Sequence, residues 1–130
     1  MKVKSLSKIL WLVLLILAIG GCQIAPEKPA GILSVAELLE KPVYDQSVQV
    51  FGQVGQLGEL LCPCFILTGD GMTLEVWYDL MAEDNGALRP AVSVEGIHNG
   101  DWVVVFGELK SEGVYRTLND FWASHIVVID

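Results

Sequence analysis

Ser47-Val-Gln-Val-Phe-Gly-Gln-Val54 is the stretch in which the chain changes its period. Val48 and Val50 alternate with Gln49 and Phe51, which is the two-residue repeat of a strand whose successive side chains point to opposite faces. Gly52 then interrupts before Val54. A glycine inside a strand marks a bulge or sharp bend, as at a barrel corner. Downstream, Cys64 to Thr68 reads as a short apolar strand, Gly69-Asp70-Gly71 as a turn, and Leu74, Val76 and Tyr78 alternate with Glu75, Trp77 and Asp79. These two segments form a hairpin.

Glu83 to Pro90 is polar and holds Asn85-Gly86, so it reads as a loop or a poor helical turn. Asn99-Gly100-Asp101 is another turn, and the apolar run Trp102 to Leu109 reads as a strand buried on both faces, with Gly107 inside it. Ser111-Glu112-Gly113 reads as a hairpin turn, and the last strand runs from Phe121 to Ile129. Upstream, Ser34-Val-Ala-Glu37 has capping-box spacing, in which each side chain satisfies a backbone donor at the other end of the first turn. It predicts a helix from Val35 to about Glu40, ended by Pro42, with Val35, Leu38 and Leu39 as its apolar stripe.

The expected fold is therefore mainly β: one short helix, then five strands that hide their edges by closing into a small barrel. Ser34-Val-Ala-Glu-Leu-Leu39, Val48-Gln-Val-Phe-Gly-Gln-Val54, Gly100-Asp-Trp-Val-Val-Val-Phe-Gly-Glu-Leu109 and the terminal apolar strand together resemble bacterial OB-fold domains of the anticodon-binding-like type. That resemblance covers nearly all of residues 34–130 and speaks to fold much more than to function. It departs from the nucleic-acid-binding OB-folds, which pair a basic groove with stacking aromatics. Here Trp77 stands between Glu75 and Asp79, a poor setting for a phosphate. These three residues are the candidate ligand face. Packing is the plainer reading of Trp77, Trp102 and Trp122.

Residues 1–33 carry a different message. Lys2, Lys4 and Lys8 precede Ile9 to Ile19, an all-apolar run, in the layout of a secretory signal. The run is too short to span a hydrocarbon core that takes about 20 apolar residues. Ile19-Gly-Gly-Cys22 resembles the lipobox of bacterial lipoproteins, which implies cleavage after residue 21 and a diacylglycerol on Cys22. Two acyl chains suffice for stable anchoring. Gln23 stands where an Asp would resemble an inner-membrane retention signal, so an outer membrane is permitted in a diderm cell. The expected layout is a signal peptide at 1–21, a lipidated tether at 22–33 with two prolines, and one domain at 34–130, on the extracytoplasmic face of a cell membrane.

Removing the signal takes three of the eight Lys and Arg and none of the sixteen acids, leaving five against sixteen, a side-chain charge of −11. Such a surface repels polyphosphate and anionic headgroups, and nucleic acid is an unfavoured partner.

With Cys22 lipidated, Cys62-Pro63-Cys64 holds the remaining thiols of an exported domain. In an extended segment the two side chains share a side, and their Cα atoms lie near the upper limit for a relaxed disulfide. Three roles stay open: a structural disulfide or packed thiols, two soft ligands for Cu(I) or Zn²⁺, or a redox pair. A tetrahedral zinc needs further ligands, and neither His98 nor His125 has ligand spacing to the cysteines. No nucleophile elbow, phosphate loop or His-Glu-x-x-His is present, so no catalysis and no resident cofactor are expected. The expected function is a membrane-tethered binding or assembly module for a protein, peptide or small ligand. The alternatives are a metal or redox accessory protein using Cys62 and Cys64, and nucleic-acid binding by fold analogy alone.

Overall fold

The computed structural model describes residues 25–130, so the expected signal and Cys22 lie outside the described residues. These described residues are mainly β, with six strands in one sheet and one short helix: β1 (Leu33–Ser34), α1 (Val35–Glu40), β2 (Ser47–Gly55), β3 (Cys64–Gly69), β4 (Met72–Trp77), β5 (Trp102–Lys110) and β6 (Asp120–Ile129). Among the described residues, no helix is long and apolar enough to cross a membrane.

β2 organises the sheet. One stretch of it, Ser47 to Gln53, pairs antiparallel with β5, while Gln53 to Gly55 pairs antiparallel with β3. β3 and β4 form a hairpin, β4 runs parallel to β6, and β6 returns antiparallel to β5, so β2, β3, β4, β6 and β5 make a ring of five strands. The glycines sit where the ring turns. A Cβ on Gly52 would lie 2.7 Å from the Leu67 side chain and 2.8 Å from the Thr68 carbonyl, at the place where β2 changes partners. Gly107 marks the register shift between β5 and β6, and a side chain there would run into the Trp122 carbonyl. Asp70 and Gly71, with φ of 50° and 78°, make the tight primed turn whose twist matches the β3–β4 hairpin.

Inside the ring the alternation of each strand delivers Val50, Val54, Phe65, Leu67, Leu74, Val76, Val103, Val105, Leu109, Phe121 and Ala123 to one apolar core. Helix α1 adds Val35 and Leu38, both fully buried, and touches β2, β3 and β4. Full burial of one such side chain is worth about 1.5–3 kcal/mol, so the helix is held by its stripe and not by its six-residue length. Ser34 Oγ accepts from Glu37 N as the expected capping box requires, and the Glu37 carboxylate takes Lys28 Nζ at 2.8 Å.

Several expectations are corrected. There are six strands, not five, because Leu33 and Ser34 pair parallel with Val50 and Phe51 and continue the edge of β2 that β3 occupies further along. The end of the segment expected as a tether is thus docked, with Lys28 Nζ also bonded to the Ile32 carbonyl at 2.7 Å. β4 ends at Trp77 and does not reach Asp79: Tyr78 N donates to the Pro63 carbonyl, and Leu80 takes a φ of 58°, which breaks the extended run. Ser111-Glu112-Gly113 is not a tight hairpin turn but the start of a nine-residue connection, 111–119, tied down by the buried Asp120 carboxylate, which accepts from Val114 N and Thr117 Oγ1. β5 is fully covered on its inner face only, since Trp102 and Phe106 on the other face remain partly exposed.

Candidate functional site

The strands that fill the ring with one set of side chains present the other set outside it. On β3, β4 and β6 that outer set includes Cys64, Trp77 and Trp122, brought side by side by the registers Cys64 to Trp77 and Trp77 to Trp122. In most one-layered sheets these positions would face water. Here they form a second buried cluster with Met81, against which Leu60, Cys62 and Val114 pack. The cover comes from three connections: 56–63 before β3, the segment after β4, and 111–119 between β5 and β6.

Cys62 and Cys64 are a close pair, with Cα atoms 5.2 Å apart. This corrects the extended reading of Cys-Pro-Cys. The chain bends through residues 61–63 before β3 begins, so the separation falls well inside the range a disulfide spans without strain. Glu75, two residues before Trp77 on the same outer face of β4, joins them: ligand atoms of Cys62, Cys64 and Glu75 all lie within 4.8 Å of one another. The Trp77 indole N–H donates to Glu75 Oε1 at 2.7 Å, fixing the carboxylate's orientation.

The structure therefore joins two groups of candidates that the sequence kept apart, the cysteine pair and the Glu75/Trp77 face. It does not bring in the rest. Asp79 lies beyond the strand and its Oδ1 accepts from Leu80 N. His98 is exposed beside Asp101, and His125 is exposed against Phe106. Trp77 is buried, its ring edge-on to Tyr115 with centroids 6.0 Å apart, so no stacking face is left open for a base. Trp102 stacks on Phe51 on another part of the ring.

Trp122 has the more unusual surroundings. Lys110 Nζ lies 4.6 Å and the Arg89 guanidinium 5.4 Å from its ring centroid, both within cation–π range. Arg89 also bonds Glu83 Oε1 and Glu108 Oε2, each at 2.7 Å. Burial pulls its guanidinium pKa down, but the bonds to Glu83 and Glu108 outweigh this and raise it. Among the described residues, the Trp122 indole N–H is the buried side-chain donor that finds no partner. Beside it runs an open groove of about 500 Å³, lined by Leu80, Asp84, Glu112, Val114, Tyr115 and Trp122, with Leu80 and Tyr115 exposed along it.

Arg89, Met81 and Asp120 escaped the sequence reading. Arg89 and Met81 lie in the segment after β4, whose lack of period hides that it folds back over the outer face. The nearest signal for Asp120 was an acid just before an apolar strand, a position where it can tie down the preceding loop.

No family model matches the chain, and no curated protein matches it. Among solved structures it is similar to the hypothetical protein ygiW from E. coli, at 14% identity and a TM-score of 0.48 over 82% of this chain and 100% of that one.

Proposed function

We propose that the chain is a membrane-anchored, extracytoplasmic lipoprotein whose single domain is a non-catalytic OB-fold module for binding or assembling a protein, peptide or small ligand. The ring of β2, β3, β4, β6 and β5, with its parallel β4–β6 step and α1 against three of its strands, supports reading it as a five-stranded OB-fold barrel. The observation that carries the binding role is the groove beside Trp122, an open cleft at the edge of a buried aromatic cluster, where the acids Asp84 and Glu112 stand beside Leu80, Val114 and Tyr115. Concave sites that combine aromatic and aliphatic contact with a few polar groups are where ligands and peptides bind.

Anchoring rests on Lys2 to Cys22 and on the chemistry of two acyl chains. Partners other than nucleic acid are favoured by charge. Of the five cations outside the expected signal, Lys28, Arg89, Lys110 and Arg116 each meet an acid of the same chain, and only Lys41 has no ion pair among the described residues. Phosphate contacts that release counterions need unpaired cations.

The test is Cys22→Ala in the full chain. We expect loss of the acyl mass and of membrane fractionation, and accumulation of the uncleaved form. A variant that is still cleaved after residue 21 and still partitions into detergent would show that Cys22 is not the anchor.

A further inference from the structure

We propose that Cys62, Cys64 and Glu75 form a redox-controlled Zn²⁺ site: a metal site when the cysteines are reduced and none when they are joined. The proposal stands apart from the anchoring and ligand-groove readings, and either could fail without the other.

Cys62 comes from the bend before β3, Cys64 is the first residue of β3, and Glu75 lies on β4 opposite Ile66, one diagonal step from Cys64. Their donor atoms already lie within 4.8 Å of one another. A tetrahedral zinc with sulfur at about 2.3 Å and oxygen at about 2.1 Å needs its donors roughly 3.5 Å apart, so the two sulfurs, joined in this structure, part on reduction to make room for the ion beside the carboxylate. The carboxylate is pre-oriented, since one oxygen takes the Trp77 indole N–H and a carboxylate has a second to give. Outer-shell hydrogen bonds of this kind fix metal ligands in place.

Donor chemistry selects the ion. Two thiolates favour Cu(I) or Zn²⁺ over Mg²⁺ or Ca²⁺, and a carboxylate as third donor favours Zn²⁺ over Cu(I). Three anionic donors bring a local charge of −3, which Zn²⁺ largely neutralises. Cys64 is buried, whereas Cys62 and Glu75 are half-exposed, so one side of the site stays open to an ion and to a water as fourth ligand.

The redox step balances as thiol–disulfide exchange. A dithiol reductant gives two electrons and two protons to the Cys62–Cys64 disulfide, yielding two thiols while the reductant becomes a disulfide. Zn²⁺ then displaces the two thiol protons to solvent and binds both sulfurs and Glu75. Reoxidation by a disulfide oxidant, which takes up the two electrons and is itself reduced to a dithiol, rejoins the two sulfurs, removes two of the three protein ligands and releases the ion.

The experiment is a Zn²⁺ titration of the full chain in detergent against a chromophoric chelator, with the cysteines either reduced by a phosphine or left oxidised. Co²⁺ substitution serves as a spectroscopic readout. We expect one Zn²⁺ per reduced chain, affinity at least about 100-fold lower when oxidised, and sulfur-to-cobalt charge-transfer bands only in the reduced form. Cys62→Ser with Cys64→Ser should abolish both signals. Glu75→Gln, which keeps both thiols and the hydrogen bond to Trp77, should weaken Zn²⁺ by at least about 10-fold and shift the cobalt ligand-field bands. It decides the matter even where the double serine variant fails to fold. Equal Zn²⁺ binding by oxidised and reduced protein, no binding by reduced protein, or wild-type affinity and spectrum in Glu75→Gln would each overturn the proposal.

Discussion

The inside and the outside of the ring are two cores built on opposite principles. The inner one is built from Val, Leu, Phe and one Ala closed around each other, with Tyr44 and Tyr78 packed at its margin. The outer one joins two tryptophans, a methionine and a cysteine pair to the charges of Glu75, Arg89 and Lys110, and it contains a buried indole N–H with no partner. Interchangeable aliphatic contacts stabilise a fold without making it respond to anything. Oriented donors, polarizable sulfur and charges near aromatic faces are costly to bury and are usually kept where something is recognised or switched.

This contrast can be broken first at Phe121 and Trp122, neighbours on β6 that point into opposite cores. Phe121→Ala should cost about 3–5 kcal/mol, the range for emptying an aromatic site in a packed core, read from the urea midpoint at unchanged slope. Trp122→Phe should change stability by only about 1 kcal/mol in either direction, because the buried area lost is offset by removing an unsatisfied donor. If both substitutions cost the same several kcal/mol, the outer cluster is simply more core and the distinction fails.

The smallest effect sharpens the comparison at the exposed periphery. Glu37 is held below its ordinary pKa of 4.5 by its hydrogen bond to Lys28, and Asp45 below 3.8 by hydrogen bonds to Ser111 and Lys110. Carboxylates with lowered folded-state pKa values contribute stability that is present above the ordinary value and lost as pH falls through the folded one. The thermal midpoint should therefore decline on acidification beginning just above 4.5. Lys28→Ala should lower the neutral midpoint slightly, make the acid decline shallower by the same amount, and raise amide exchange around Ile32 and Leu33. An unaltered acid limb in that variant would show that Lys28 does not hold the segment.

What was legible in the sequence follows the same divide. The inner core could be read because its period is a property of each strand alone: Leu74 and Val76, or Val103 and Val105, declare a buried face by alternation. The helix could be read from Ser34, the Val35 stripe and Pro42. The outer cluster could not, since alternation assigns Cys64, Glu75, Trp77 and Trp122 to a face that ought to be wet. The burial of Cys64, Trp77 and Trp122 depends on Met81, Leu60 and Val114 arriving from aperiodic connections. For the same reason Cys62, Cys64 and Glu75 seemed unrelated at a separation of a dozen residues until the β3–β4 register placed them on adjacent strands. The two-residue β1 was hidden by its brevity, and the end of β4 by a backbone hydrogen bond to Pro63 that no side-chain pattern encodes.

The docking of Lys28, Ile32 and Leu33 onto the domain bears on how high the domain can stand above a bilayer. In a chain anchored at Cys22, all of residues 22–33 would be slack if the segment were free, a leash of up to about 40 Å at roughly 3.5 Å per residue. With Lys28 clamped to Glu37 and Leu33 zipped to Val50, about six residues remain, and they span at most about 20 Å. That distance is shorter than the bilayer is thick. The domain would ride close over the headgroups with little freedom to turn over, and its partners would have to approach along the membrane surface.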